Sequence, residues 1–204
     1  PDVARGVLRL SSKSHWVVPV LVGDDILHIL ASHPTPPVFD GPEDRNGRRN
    51  FDEIRFWRDY TSPGPAPWIL DDDGVPGGLE PGARFVIAGD LNADPNDGDS
   101  RPGAIGQLLS ADWIDASCVP SSDGGVEAAR EQGGVNSEHR GDPAQDTADF
   151  NDRFTGNLRI DYVLPSAGIR IAGCGVFWPA ADSDEADSVA VSDHRLVWLD
   201  IRLE

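Results

Sequence analysis

Positive charge is scarce in this sequence. Of its 204 residues, 35 are Asp or Glu and only 17 are Lys or Arg, which gives a formal net charge of −18. Lysine is reduced to one residue, Lys13. Proteins hold duplex nucleic acid first by neutralising its phosphates with Lys and Arg. A chain this acidic repels such a polymer, so we predict that nucleic acid is not its partner.

Cysteine and long apolar segments are scarce as well. The two cysteines, Cys118 and Cys174, permit one disulfide bond but no thiol-rich metal site. No apolar run reaches the roughly 18 residues needed to span a bilayer, so we expect no transmembrane segment. The chain begins at Pro1, with neither an initiator Met nor a signal-like apolar segment. Such a beginning is typical of a processed or truncated piece.

The chain is long enough for one domain with a core, and no linker divides it, so residues 1–204 are predicted to form a single domain. Strands are predicted at "GVLRLSS", "HWVVPVLV", "ILHILAS", "RFVIAGD", "LRIDYVLPS", "IRIAGCGVFW" and "HRLVWLDIRL". A helix is predicted at "FDEIRFWRDY" and a short one at "GAIGQLLS". "SHPTPPVFDGPEDRNGRRN" is predicted to be a loop, and residues 119–153 a long irregular excursion. This pattern predicts an α/β fold of mixed layers.

One predicted strand ends in the polar segment "AGDLNADP", with Asp90, Asn92 and Asp94 at alternating positions. A calcium loop of the EF-hand type would need Gly at its sixth position and Glu at its twelfth. Pro95 and Arg101 stand there instead, which argues against that loop. A turn capped by its own Asx side chains remains an alternative.

Polar residues also end or interrupt three other predicted strands. His33 follows "LHILAS", Asp161 lies inside "LRIDYVLPS", and Asp193 and His194 precede the last strand. An unpaired carboxylate in an apolar strand is costly, so Asp161 needs a partner or a metal. Singly, each of these residues fits a structural role. Together they predict one site, because sheets gather functional groups at strand ends.

The ordered motifs "ASHPTPP", "IAGDLNADP", "LRIDYVLPS" and "VSDHRLVWLDI" resemble the endonuclease/exonuclease/phosphatase superfamily, the deoxyribonuclease-I-like metal-dependent phosphoesterases. "SHPTPPVFDGPEDRNGRRNFDEIRFW" makes the chain most similar to the bacterial phosphatase-like branch. The resemblance implies a layered sandwich of two sheets with helices outside. It also implies Mg²⁺, or Mn²⁺ or Ca²⁺, as cofactor, which agrees with oxygen ligands. Many members of this branch are extracellular, which favours that location.

The resemblance also implies roles for the strand-end residues. The catalytic set is His33 at the scissile phosphate, Asp90 on the attacking water, Asn92 on the phosphate, and Asp161 supporting the catalytic His194. Asp193 is the implied metal ligand, with Asp90 and Asn92 as further ligands. A carboxylate behind an imidazole fixes its tautomer and stabilises its charged form, which agrees with an Asp161–His194 pair.

A second group of residues is predicted to support substrate binding. "SKSHW" supplies donors just before a predicted strand. "EDRNGRRN" supplies donors beside a predicted helix start, where anions bind readily. The candidates are Lys13, His15, Arg45, Asn46, Arg49 and Asn50. The alternative is a solvated, capped loop. In that case Glu53, three positions after Asn50, would close a capping box.

The first strands here resemble the middle of the superfamily's sequences, so its N-terminal half, which supplies an Asn and a metal-binding Glu, is expected to be absent. Glu43 and Glu53 do not fit the position of that Glu. We therefore expect the C-terminal portion of the fold, with an incomplete metal site. Its inner sheet face should need a cover, either a second copy of the chain or the missing half.

The function predicted from the sequence is metal-dependent hydrolysis of a small phosphomonoester or phosphodiester. Because its metal site is expected to be incomplete, the isolated chain is expected to be a nearly inactive fragment. Two alternatives remain open at this stage. One is a nuclease or a phospholipase of the same superfamily, for which only "DRNGRR" offers a basic surface. The other is a non-catalytic binding module on this fold.

Overall fold

The computed structural model describes residues 9–203. The strands are β1 (His15–Val22), β2 (Asp25–Ser32), β3 (Arg84–Asp90), β4 (Ala148–Asp149), β5 (Asn157–Leu158), β6 (Asp161–Pro165), β7 (Arg170–Phe177) and β8 (Leu196–Arg202). The helices are α1 (Arg45–Thr61), α2 (Gly106–Leu109) and α3 (Asp123–Gln132), with 3₁₀ turns at Gly134–Glu138, Pro143–Gln145 and Ala186–Val189. Within the described range, none of the helices combines the length and the apolar character needed to cross a membrane. The α/β fold class predicted from the sequence is confirmed.

The main sheet has the strand order β1-β2-β3-β6. β1 and β2 form an antiparallel hairpin, β3 runs parallel to β2, and β6 runs antiparallel to β3. The hairpin turns at Gly23, whose φ of 63° is the left-handed conformation that glycine adopts without strain. These directions bring the C-terminal ends of β2 and β3 and the beginning of β6 to the same end of the sheet.

One face of the main sheet is covered by α1. Leu30 and Ile87 from the sheet and Ile54 and Trp57 from the helix are completely buried there. Burying each side chain of this size contributes roughly 1.5–3 kcal/mol. The helix presents these residues at i and i+3, which is the spacing of one helical face. This contact fixes α1 behind the edge where the strands end.

The opposite face of the main sheet is apolar and largely open along β1. Trp16, Val18 and Val20 are paired across the hairpin with Ala31, Ile29 and Leu27, so the six side chains share this face. Trp16 is 63% exposed, Val18 43% and Val20 38%. Nearer the centre, Leu27 and Val86 pack with Ile169 in a small cluster.

β7 and β8 form a separate two-stranded sheet beside β6. Cys174 in β7 is joined by a disulfide bond to Cys118, in the loop before α3. The two cysteines therefore form the single disulfide that the sequence permits. It ties the loop that leads into α3 to β7.

Three sequence predictions need correction. Residues 9–12 of "GVLRLSS" are not a strand, and residues 6–8 lie outside the described residues. "RNGRRN" is not a loop, because α1 already begins at Arg45. The Asp40 carboxylate accepts hydrogen bonds from the backbone N–H groups of Asn46 and Gly47, at 2.5 and 2.9 Å. It thereby satisfies donors that a first helical turn leaves free.

The excursion at residues 119–153 is also more ordered than predicted, since it contains α3 and β4. Ser122 caps α3 by accepting a hydrogen bond from the Gly125 N–H. A Cβ at Gly124 would lie 2.2 Å from the Trp178 carbonyl oxygen. Glycine is therefore needed for this close approach, and its low helix propensity hides the helix from sequence patterns.

Candidate active site

The three strand ends place His33, Asp90 and Asp161 at one point. Asp90, the last residue of β3, is paired directly with Asp161, the first residue of β6. His33 follows β2, and its Nε2 lies 3.3 Å from Asp90 Oδ2. The sequence prediction that these residues converge agrees with this geometry, although they are 57 to 128 positions apart along the chain.

His194 joins this group from the segment before β8. Its Nδ1 lies 2.9 Å from Asp161 Oδ2 and 3.1 Å from Asp161 Oδ1. Its other ring nitrogen, Nε2, lies 3.8 Å from Asp90 Oδ2. A bridge between His194 and Ala148 of β4 fixes the backbone of His194 beside the sheet. The imidazole is thus held by one carboxylate and directed towards the other.

Thr147 is a member of the site that sequence reasoning missed. Its hydroxyl donates to Asp161 Oδ2 at 2.8 Å and accepts from the N–H groups of Ile160 and Asp161, both at 3.0 Å. The hydroxyl orients the carboxylate that holds His194. Thr147 lies in the polar stretch predicted to be irregular, and no local motif marks it.

Asn92 is bent back onto Asp90. Its φ of 51° is left-handed, a conformation that Asn tolerates better than most residues. Its backbone N–H donates to Asp90 Oδ1 at 2.9 Å, and its Nδ2 donates to Asp90 Oδ2 at 3.1 Å and to the Pro34 carbonyl at 3.2 Å. The Asp90 carboxylate is therefore oriented by Asn92 and faces two histidines.

Charge in the site is distributed unevenly. Burial raises the pKa of Asp90 from 3.8 to about 6, and the Asp161 carboxylate adds to this effect. Burial lowers the pKa of His33, and the Lys13 ammonium lowers it further. The hydrogen bond to Asp161 raises the pKa of His194. Near neutral pH the site favours an ionised Asp90, a neutral His33 and a more readily charged His194.

The arrangement fits a hard divalent cation. Asp90, Asp161 and His194 each offer a ligand atom, and these atoms lie within 4.8 Å of one another. The raised pKa of Asp90 shows that its ionised form is disfavoured, and a nearby cation removes this penalty. Asp193, the metal ligand implied by the resemblance, lies outside this group and is exposed next to His194.

The predicted substrate-binding residues take different places. Lys13 lies at the site, with Nζ 3.3 Å from the His33 carbonyl oxygen. His15 bonds to the Glu53 carbonyl and packs on Trp57, and Arg49 donates to the carbonyls of Leu10 and Arg9. The other three candidates lie in α1, as Arg49 does. Arg45 is the first residue of the helix and is exposed, Asn46 donates to the Val38 carbonyl, and Asn50 is completely buried.

Glu53 does not close a capping box with Asn50. Both residues lie well inside α1, so neither stands at a helix start. Glu53 is completely buried, and its carboxylate accepts hydrogen bonds from the backbone N–H groups of Ser12 and Thr35. A capping box would need its backbone partner at the helix N-terminus.

Asp94 is a turn residue in this structure. Its Oδ1 accepts hydrogen bonds from the N–H groups of Asn96 and Asp97, at 2.7 and 2.8 Å. Its Oδ2 accepts one from the Arg159 N–H at 2.8 Å. These three bonds use its oxygens for the backbone, which agrees with the Asx-turn alternative.

The site is open to solvent at its histidines, since the side chains of His33 and His194 are 49% and 32% exposed. A cavity of about 260 Å³, lined by Thr61, Arg84, Phe85 and Trp113 among others, lies at the other end of β3. Arg84 begins β3 and Asp90 ends it, so the length of the strand separates that cavity from the cluster of carboxylates and histidines.

Fold and site together define an α/β protein with a carboxylate–histidine cluster at the strand ends of its main sheet. The chain belongs to the endonuclease/exonuclease/phosphatase family, whose sequence pattern matches residues 11–194. The family recognised from the sequence motifs is therefore confirmed. Among proteins with curated functions, none matches the chain.

Three solved structures are similar to this one in different degrees. An endonuclease/exonuclease/phosphatase from Beutenbergia cavernae DSM 12333 is 19% identical, with a TM-score of 0.52, over 92% of this chain and 38% of that protein. A family protein from Leptotrichia buccalis C-1013-b is 13% identical, with a TM-score of 0.46, over 92% and 52%. Sphingomyelinase C from Streptomyces griseocarneus is 16% identical, with a TM-score of 0.41, over 90% and 52%. The first of these supports the fold, and this chain spans 38% of its length.

Proposed function

We propose that the protein is a metal-dependent phosphoesterase that hydrolyses a small phosphomonoester or phosphodiester. The observation that carries this proposal is the convergence of His33, Asp90 and His194, with His194 held by Asp161. The family is generally hydrolytic, which agrees with the proposal. The net charge of −18 favours a small substrate over a nucleic acid polymer.

Asp90 is suited to act on the attacking water. Its Oδ2 accepts a hydrogen bond from Asn92, and at neutral pH its carboxylate is ionised and can accept a proton from a water molecule. Asn92 keeps the carboxylate oriented while the water is aligned.

The two histidines are suited to the phosphate. His194 can present a charged Nε2–H, because Asp161 holds Nδ1 and raises the pKa of the ring. A fixed cationic donor stabilises charge that grows on phosphate oxygens in the transition state. His33 has a lowered pKa and supplies a neutral donor, whose Nε2 lies beside the same oxygen of Asp90 as His194 Nε2.

Asp90 and Asp161 are the side chains best placed to hold a divalent cation, with Asn92 and Asp193 as further candidates proposed from the family resemblance. When bound, such a cation offsets negative charge on the phosphate. Mg²⁺ suits carboxylate oxygens, and Mn²⁺ and Ca²⁺ share this preference. We further propose residues 1–204 as one domain of this type.

The proposal is tested by hydrolysis of p-nitrophenyl phosphate and bis-p-nitrophenyl phosphate with Mg²⁺. Replacing a group that transfers or stabilises a proton costs typically about 10²–10⁴-fold in rate. We expect losses in this range for Asp90→Asn and His194→Ala. The matched control is His139→Ala, which removes a histidine outside the site. Equal rates for His194→Ala and the wild type would refute the site, and no turnover by the full-length protein would favour a non-catalytic module.

A further inference from the structure

Helix α1 carries a row of buried polar side chains on the face that meets the site. Asn50, Glu53 and Trp57 lie at i, i+3 and i+7, and all three are completely buried. Positions with this spacing share one face of a helix. Trp57 Nε1 donates to Ser32 Oγ, at the end of β2, at 2.7 Å. The row therefore runs along the strand end that leads into His33.

Glu53 connects the helix to two backbone segments beside His33. Its Oε2 accepts a hydrogen bond from the Thr35 N–H at 2.5 Å, and its Oε1 accepts one from the Ser12 N–H at 2.5 Å. Thr35 is two residues after His33. Ser12 precedes Lys13, whose Nζ donates to the His33 carbonyl oxygen. Hydrogen bonds to charged groups are stronger than neutral ones, so this carboxylate is a firm anchor.

Asn50 connects the same loop to the segment that follows β3. Its Nδ2 lies 3.0 Å from the Thr35 carbonyl oxygen, 2.9 Å from that of Leu91 and 3.3 Å from that of Asn92. One amide group thus joins the loop of His33 to the loop of Asn92. Thr35 is held at both ends of its backbone, since Glu53 takes its N–H and Asn50 its carbonyl.

Stability alone does not explain these two side chains. Burying an amide is costly, and so is burying a carboxylate even beside a cation such as Arg49, whose Nε lies 3.8 Å from Glu53 Oε1. Well-packed apolar residues often serve a core at least as well. Asn50 Oδ1 is buried without a hydrogen-bond partner among residues 9–203, which adds to the cost. What the pair provides is a fixed distance between two backbone loops whose side chains His33 and Asn92 both contact Asp90.

We propose that Asn50 and Glu53 are positioning residues, which hold the His33 loop and the Asn92 loop in register so that both side chains meet Asp90. The inference rests on the proposed function, because the loops matter for catalysis only if His33 and Asn92 act on substrate. Neither Asn50 nor Glu53 touches the substrate, since both are completely buried. Their effect passes through the backbone of Thr35, Leu91 and Asn92.

The test compares three isosteric variants of α1. Asn50→Leu removes the amide that joins the two loops, and Glu53→Gln leaves one acceptor oxygen for two N–H groups. The matched control is Thr61→Val, which removes a buried hydroxyl at the far end of the same helix. That hydroxyl bonds to the Trp57 carbonyl and the Trp113 indole. The three variants each lose buried hydrogen bonds, and only the first two loosen the site loops.

Two readouts separate positioning from general stability. The first is kcat and KM for bis-p-nitrophenyl phosphate with Mg²⁺, below the unfolding temperature of each variant. Misplacing catalytic groups by about 1 Å can cost about 10²-fold. We expect kcat to fall about 100-fold in Asn50→Leu and about 10-fold in Glu53→Gln, with KM changed less than about threefold. Thr61→Val should keep the wild-type kcat.

The second readout is amide hydrogen exchange at Asn92, whose N–H donates to Asp90 Oδ1. Exchange should be faster in Asn50→Leu and unchanged in Thr61→Val. An unchanged kcat in a folded Asn50→Leu protein, or equal kcat losses in all three variants, would overturn the proposal. If the full-length protein shows no turnover, the proposed function fails by itself. In that case equal Asn92 exchange in Asn50→Leu and Thr61→Val overturns the positioning role, and a difference supports it.

Discussion

Replacing Asp90 by Asn should make the cation-free protein more stable and the enzyme less active. The Asp90 side chain is only 14% exposed, and it faces Asp161 across the strand pair. Its ionised form is therefore disfavoured in the folded state. Asn has nearly the same shape and carries no charge, so the substitution removes this penalty but also the proposed base.

The magnitude follows from the pKa of Asp90, which rises from 3.8 to about 6 on folding. A difference of one pKa unit corresponds to about 1.36 kcal/mol, so the ionised carboxylate lowers the free energy of unfolding by up to about 3 kcal/mol. Asn at this position loses the acceptor for Asn92 Nδ2, which costs about 1 kcal/mol. We expect a net gain of about 2 kcal/mol.

The gain should depend on pH in a defined way. A carboxyl group with a raised pKa binds its proton more tightly in the folded state, so its penalty is absent below pH 3.8 and complete above about pH 6. Urea unfolding with EDTA, between pH 4 and 8, measures this directly. The Asp90→Asn variant and the wild type should be similar at pH 4 and diverge up to about pH 6. A gain that is absent, or constant across this range, would refute the assigned environment of Asp90.

Three further predictions concern the surroundings of the site. Thr147→Val removes the hydroxyl that Asp161 and two N–H groups use, so unfolding by urea should show a loss of about 1–3 kcal/mol, and unchanged stability would contradict this role. Reduction of the Cys118–Cys174 disulfide should lower the free energy of unfolding in urea by roughly 2–4 kcal/mol, and a control variant that lacks the disulfide should show no change on reduction. The exposed face of β1 should need a cover, so light scattering on a sample with no other chain should give twice the mass of one chain, and Trp16→Lys should restore the monomer. A monomeric wild type would contradict the pairing.

The site could be predicted from sequence where polar residues interrupt apolar strands. Asp90 and Asp161 stand at strand ends within β-rich runs, and His194 precedes another strand. A carboxylate in such a run is costly to bury, and this cost makes it visible in a single sequence. The direct pairing of Asp90 with Asp161 on neighbouring strands is a finding of the structure and not a sequence prediction.

The residues that support the site could not be predicted in the same way. Thr147 and Asp40 act through backbone N–H groups, and their residue types are common in any loop. Asn50 and Glu53 look like the polar side of an amphipathic helix, yet both are completely buried. Hydrophobic periodicity cannot show that a polar side chain is satisfied by backbone groups from distant segments.

The central claim is that Asp161 and His194 act as one unit on a phosphate held beside Asp90. A double-mutant cycle on Mg²⁺-dependent hydrolysis of bis-p-nitrophenyl phosphate tests it most directly, with Asp161→Asn, His194→Ala and the two combined. Residues that act as a unit give strongly non-additive losses. The double variant should be no slower than His194→Ala alone. Losses that multiply would contradict the claim.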